Sequence, residues 1–126
     1  MTHWDVRHPK ARKTHRCQMC HRQIKSGEVY KRGAGMGGGT AWTWRECAHC
    51  EALVRVAFRR WFDDEYDAGM LDEFEPNDIA EARVRAQYRR SWRRLDGTLY
   101  PIPHVIERED RHGFVWPVAI QPGEAL

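Results

Sequence analysis

Four cysteines constrain this chain more than any other feature of it. They form two pairs, Cys17-Gln-Met-Cys20 and Cys47-Ala-His-Cys50, separated by the 26 residues 21–46. Two residues between cysteines let both sulfurs of a pair turn toward one ion. Two such pairs complete a tetrahedral sulfur shell, and that donor set favours zinc. No other cysteine is present, so none is left over. Two disulfides are the rival reading, and they need an oxidising compartment. A redox C-x-x-C leaves the second, matching pair unexplained. Cys17, Cys20, Cys47 and Cys50 are therefore the expected ligands of a single zinc ion. Four thiolates leave no open position for water or substrate, so the zinc is expected to be structural.

At 126 residues the chain is expected to hold one domain, or one small domain with an extension. No run approaches the ~18 apolar residues of a membrane span. Met-Thr-His-Trp-Asp at the start lacks the apolar stretch of a signal peptide, so a cytoplasmic location is expected. Net charge is only +3, but the charge is segregated. Residues 1–35 carry 9 Lys/Arg against 2 Asp/Glu, residues 63–80 carry 8 acidic groups and no basic one, and residues 81–95 carry 6 Arg against 1 Glu. Two basic blocks around an acidic one point to a nucleic-acid surface or to pairing between the blocks. Of the 21 basic residues 17 are Arg, whose fork suits phosphate, carboxylate and base edges. A GC-rich coding sequence explains the arginines equally well.

Residues 1–14 read as a basic arm with little apolar periodicity, expected to lie loose. Glu28-Val-Tyr-Lys-Arg32 and Thr40-Ala-Trp-Thr-Trp-Arg45 alternate as half-buried strands do, with Gly33 to Gly39 as a flexible tip. Trp42 and Trp44 share one face at that period. Cys47 and Cys50 fall on the first turn of a helix with an apolar stripe of Cys50, Val54, Ala57, Phe58 and Trp61. Leu53, Val56 and Phe62 widen that surface, so a second cover is expected. Residues 63–75 read as an acidic linker. They fail as a calcium loop, because Ala68 stands where Gly is required and Phe74 where Glu is required. A helix is predicted from Pro76 to Leu95, with Ala80, Val84, Tyr88, Trp92 and Leu95 inward. Arg83, Arg85, Arg89, Arg90, Arg93 and Arg94 clothe the rest, and Asp96-Gly97 ends it. Leu99 to Ile106 and Phe114 to Ile120 read as a loose hairpin, with Pro101, Pro103 and Pro117 confining both strands to edges.

The order of knuckle, β-hairpin and ligand-bearing helix resembles the treble-clef zinc finger. More narrowly, His15-Arg-Cys17-x-x-Cys20-x-x-x-Ile24-x-x-Gly27-Glu28-x-Tyr30 followed by Trp44-x-x-Cys47-x-x-Cys50 looks like the small treble-clef proteins encoded by phages of actinobacteria. That resemblance covers residues 15–62. It implies an architecture rather than an activity, because treble clefs serve in nucleic-acid binding, protein binding and, with added residues, nuclease catalysis.

Catalysis finds little footing. A nuclease of the His-Asn-His type needs a histidine on the hairpin, and residues 22–46 contain neither histidine nor asparagine. His21 and His49 adjoin the cysteines and are expected to stand near the metal unligated. Gly33-x-Gly35-x-x-Gly38 matches a dinucleotide fingerprint only formally, since a strand rather than a helix follows it. Tyr30, Trp42 and Trp44 are expected to serve the core more than to stack on bases.

The expected fold is α+β. A basic arm (1–14) precedes a treble-clef zinc domain (15–62) and an acidic linker (63–75). A helix and β-hairpin extension (76–126) completes it. The expected function is non-enzymatic, with no small-molecule substrate and no membrane. A DNA-binding regulatory factor, phage-encoded, would contact phosphates through Lys10, Arg12, Lys13, Arg85, Arg89, Arg90, Arg93 and Arg94. The alternative is a protein–protein interaction module that engages a host or partner protein.

Overall fold

The computed structural model describes residues 3–61, 70–73, 75–76 and 78–122. Sheet and helix are mixed. The strands are β1 (His3–Arg7), β2 (His15–Arg16), β3 (Gln23–Ile24), β4 (Tyr30–Gly37) and β5 (Thr40–Cys47), and they lead into helix α1 (Ala48–Trp61). A short 3-10 turn (Met70–Glu73), helix α2 (Ile79–Arg89) and strands β6 (His104–Glu109) and β7 (Val115–Ile120) follow.

β4 and β5 form the expected hairpin, but its tip is shorter than the glycine run suggests. Only Gly38 and Gly39 make the turn, with φ of +58° and +82°. A two-residue hairpin turn of this hand needs positive φ at both places, which glycine takes without steric cost. Gly33, Gly35 and Gly37 belong to β4 itself. Across from them in the ladder stand Trp44, Trp42 and Thr40. Two of the three glycines thus stand beside tryptophans, at positions that carry no Cβ of their own.

The N-terminal arm is not loose. β1 pairs antiparallel with β4, giving a three-stranded sheet in the order β1-β4-β5. Beyond it Ala11 is buried, donating to the Glu28 carbonyl and accepting from Gly27 N, both at 2.8 Å. The arm's side chains are polar, but its backbone satisfies the open edge of β4, and that need is invisible to hydrophobic periodicity.

The acidic linker falls largely outside the described residues. Within it, Leu71 is fully buried and Asp72 Oδ1 accepts from the Tyr88 hydroxyl at 3.1 Å, so this part of the segment belongs to the core. The calcium-loop positions Ala68 and Phe74 lie outside the described residues.

α2 starts later and ends earlier than its sequence pattern. Asp78 caps its N-terminus by accepting from Glu81 N at 2.9 Å. After Arg89 the chain turns, with Ser91 at φ +53° and Trp92 at φ +62°. Left-handed backbone is costly for residues other than glycine, and tertiary anchors offset it here. Ser91 Oγ donates to the Cys20 carbonyl at 2.7 Å, and Trp92 is fully buried. Leu95, expected inward, is 95% exposed on the turn that follows.

The C-terminal hairpin is part of the core. β7 buries Val118, Ala119 and Ile120 and packs on both α1 and α2, so it supplies the second cover that Leu53 and Val56 call for. The side chains of Ala57, Phe58 and Trp61 lie outside the described set. Glu81, fully buried on α2, accepts from Ala119 N at 3.2 Å and fixes the seam between helix and strand. Arg108 pairs with Asp78 across the same seam. Replacing Ile120 with Ala should cost about 2–5 kcal/mol, as for other buried aliphatics. Urea denaturation of the zinc-loaded protein measures it, and a loss near zero contradicts a hairpin built into the core.

Candidate metal centre

Two different local structures deliver the four sulfurs. Cys17 and Cys20 flank a tight turn between β2 and β3, closed by Cys17 N donating to the Arg22 carbonyl at 2.9 Å and His21 N to the Cys17 carbonyl at 3.0 Å. His21 takes positive φ at the end of this turn and points to solvent. Cys47 ends β5 and Cys50 lies in the first turn of α1, so a strand-to-helix junction presents the second pair. The four sulfur atoms lie within 4.8 Å of one another, and all four residues are buried. Cys20 Sγ and Cys47 Sγ are 3.9 Å apart. Zinc–sulfur bonds of ~2.3 Å in a tetrahedron set sulfurs ~3.8 Å apart, so the cage fits one zinc ion with little adjustment.

The surroundings suit thiolates. Cys17 Sγ accepts from Met19 N at 3.4 Å and from Cys47 N at 3.3 Å, and Cys47 Sγ accepts from Cys50 N at 3.4 Å. Trp92 Nε1 donates to Cys50 Sγ at 3.2 Å. Without metal, hydrogen bonds from Cys20, Cys47 and Cys50 hold the Cys17 thiol well below its ordinary value. Burial pushes Cys47 and Cys50 up.

Positive charge stands beside the sulfurs. Arg22, 4% exposed, forks onto Glu28 at 2.8 and 3.2 Å. Burial alone works against the Arg22 charge. Its hydrogen bonds to the Glu28 carboxylate, with the negative charge of Cys47 and Glu28 nearby, overcome it and hold the guanidinium above its usual value. Burial also works against the Glu28 charge, and Arg22 with the Lys25 backbone N–H draws that carboxyl below its usual range. Arg22 further donates to His49 Nδ1 at 3.2 Å, while His49 Nε2 donates to the Tyr100 carbonyl at 2.6 Å. A guanidinium only donates and a carbonyl only accepts, so this pair fixes the His49 tautomer and occupies both ring nitrogens. His49 thus braces the cage without ligating.

The basic residues singled out by sequence divide among several elements. Lys10, Arg12 and Lys13 are exposed on the segment between β1 and β2. Arg85 is half-buried on α2, and Arg89 and Arg90 are exposed at its end. Arg93 and Arg94 leave the helix. Arg93 donates to the Gly97 carbonyl, and Arg94 donates to Thr98 Oγ1 and the Leu99 carbonyl while covering the Tyr100 ring at 4.9 Å. A continuous arginine-clad helix to Leu95 is therefore not formed. His15 sits against Tyr30 at 5.2 Å. Burial first, then the charges of Arg45, Lys13 and Arg32, hold its pKa below the ordinary value. Trp92 and Ser91 escaped the sequence reading as partners of the cage, because their roles arise from a left-handed turn.

Comparison with known protein families, curated proteins and solved structures gives no match for this chain. No helix among the described residues is long and apolar enough to cross a membrane.

Two outcomes follow for the centre. Zinc binding near neutral pH should release the protons that burial holds on Cys47 and Cys50, so apparent affinity rises with pH across that range. Calorimetry in buffers of differing ionisation enthalpy measures the release, and zinc uptake without it contradicts a thiol cage. Trp92→Phe removes the donor to Cys50 and should weaken zinc about 10–100-fold, the scale for partners that orient metal ligands. Competition with a chromophoric chelator reads it, and unchanged affinity means that the indole only fills space.

Proposed function

We propose that this chain is a non-enzymatic nucleic-acid-binding factor built around one structural zinc. The observation that carries the reading is the closed cage: four buried sulfurs leave no coordination position for water or substrate. The two ligand-bearing segments, knuckle and strand-to-helix junction, support a treble-clef description. The resemblance to small treble-clef proteins of actinobacterial phages supports a phage origin and a role inside the host cell.

Nucleic acid is the partner favoured by charge. Lys10, Arg12 and Lys13 stand exposed on the segment that enters the knuckle, and Arg89 and Arg90 are exposed at the end of α2. Exposed cations of this kind attract phosphate backbones and lose affinity as salt rises. A regulatory role on DNA is the finer form of this reading.

One observation favours the protein-interaction alternative. A cleft of about 450 Å³ runs between α1 and the segment leading into β6, with Val29 and Ile102 at its rim. Both rim residues are largely exposed. Glu51 in the same cleft accepts from His8 at 2.9 Å and Arg55 at 3.3 Å, so its polar end is already internally paired.

Fluorescence anisotropy of the zinc-loaded protein with labelled duplex and single-stranded oligonucleotides separates the readings. Binding in the micromolar range or tighter at physiological salt is expected. Binding confined to low salt, or none, removes nucleic acid as the partner and leaves the cleft as the interaction surface.

A further inference from the structure

The C-terminal hairpin has one occupied edge and one open edge. Its ladder pairs His104 with Ile120, Ile106 with Val118 and Arg108 with Trp116, and just beyond it Asp110 N donates to the Phe114 carbonyl at 2.9 Å. Antiparallel strands alternate hydrogen-bonded and non-hydrogen-bonded pairs, so the even positions of β6 carry the bonds to β7. The other strand shows the same phase. Ala119 N, opposite Val105, turns away from β6 to meet Glu81 at 3.2 Å, and Pro117, opposite Glu107, has no N–H to give. The backbone N–H and C=O groups of Val105, Glu107 and Glu109 therefore point away from β7. Among the described residues they meet no partner.

An open edge of this kind is a template for a further strand. The side chains of the same residues say which strand fits. Val105 packs against the core and borders the cleft whose rim carries Val29 and Ile102, two exposed apolar side chains. Glu107 and Glu109 follow at the period of two that puts them on the same face of β6, and both are exposed. Neither forms an ion pair among the described residues, and Arg108 between them is held by Asp78. Cross-strand pairs of opposite charge stabilise a sheet. Cations opposite Glu107 and Glu109, with an apolar residue opposite Val105, complete this edge.

A second copy of β6 does not complement it. Antiparallel self-pairing through the outward groups sets Glu107 against its own copy or, one step along, against Glu109, and like charges directly opposite destabilise a sheet. The step the other way sets Glu109 against Pro103, which has no N–H for the ladder. We propose that the outer edge of β6 binds an extended basic segment of a partner protein by strand addition, running antiparallel, with lysine or arginine opposite Glu107 and Glu109 and an apolar residue at the cleft. Main-chain hydrogen bonds give such a complex its affinity, and the alternate side chains give it specificity. The proposal extends the protein-interaction alternative above and does not depend on nucleic-acid binding.

The test uses the full zinc-loaded chain and a labelled synthetic peptide, Thr-Lys-Thr-Lys-Thr-Val-Thr, read by anisotropy and by amide NMR. Binding should shift the N–H signals of Val105, Glu107 and Glu109 and slow their exchange with solvent. Methylating the backbone nitrogens of the peptide's lysines and valine, which face β6, should weaken binding about tenfold or more, the scale of a few lost hydrogen bonds. Methylating the alternate threonine nitrogens, which face away, should leave binding unchanged. E107K/E109K should weaken the lysine peptide on the order of fivefold and strengthen its counterpart Thr-Glu-Thr-Glu-Thr-Val-Thr, with zinc content as in the wild type. The methylated peptides test the pairing on the unaltered chain should that variant fold poorly. No binding of the lysine peptide overturns the proposal. Equal effects of the two methylation patterns mean that charge alone holds the peptide, and they overturn strand addition. Shifts confined to Val29, Glu51 and Ile102 overturn the edge and leave the cleft as the interaction surface. Slow exchange of the three amides in the chain alone also overturns an open edge: a second copy fills it if the protection grows with protein concentration, and the chain's own residues fill it if not.

Discussion

The packing of four sulfur atoms into one buried cage is the constraint on which the other contacts depend. The cage joins two separate parts of the chain: the turn holding Cys17 and Cys20, and the junction where β5 runs directly into α1. Residues from the far end of the chain then close over it. Tyr88 donates to the Met19 carbonyl at 3.4 Å, Ser91 to the Cys20 carbonyl, and Trp92 to Cys50 Sγ. A core this small is hard to stabilise by apolar burial alone, and a metal bound only in the folded state supplies free energy that burial lacks. Sulfur charge and its compensation come in the same package, since Arg22, Glu28 and His49 form a connected polar layer against the cysteines.

The cage also organises its surroundings: the knuckle holds Gln18 against Arg45, and the first turn of α1 lies against β5. The sheet presents a row of arginines on one face and tryptophans opposite glycines on the other. The register of three strands is what brings these residues together, although residues 7, 32 and 45 are far apart in sequence.

The local patterns were the legible part. The cysteine spacing names the four residues of the cage, and the alternation in 28–32 and 40–45 marks the hairpin. What escaped depended on distant partners. β1 has no apolar rhythm, and it forms because β4 needs a neighbour for its backbone. Trp92 reads as a position on a helical face, yet it reaches Cys50 only because the helix has already ended. The arginines at 93 and 94 look like a binding surface in one dimension, and in three they cap the carbonyls of their own turn. Glu81, the lone acidic group of the arginine-rich stretch, is buried against β7. For β1, Trp92 and Glu81 a tertiary hydrogen bond outweighed a local propensity.

The measurement that tests the central claim most directly is X-ray absorption at the zinc edge on the purified, zinc-loaded protein. The account predicts one tightly bound zinc per chain with four sulfur neighbours at ~2.3 Å and no nitrogen or oxygen neighbour. A first shell containing nitrogen or oxygen would make His21 or His49 a ligand or open the site to water. A protein that folds with oxidised cysteines and no zinc would contradict the cage outright.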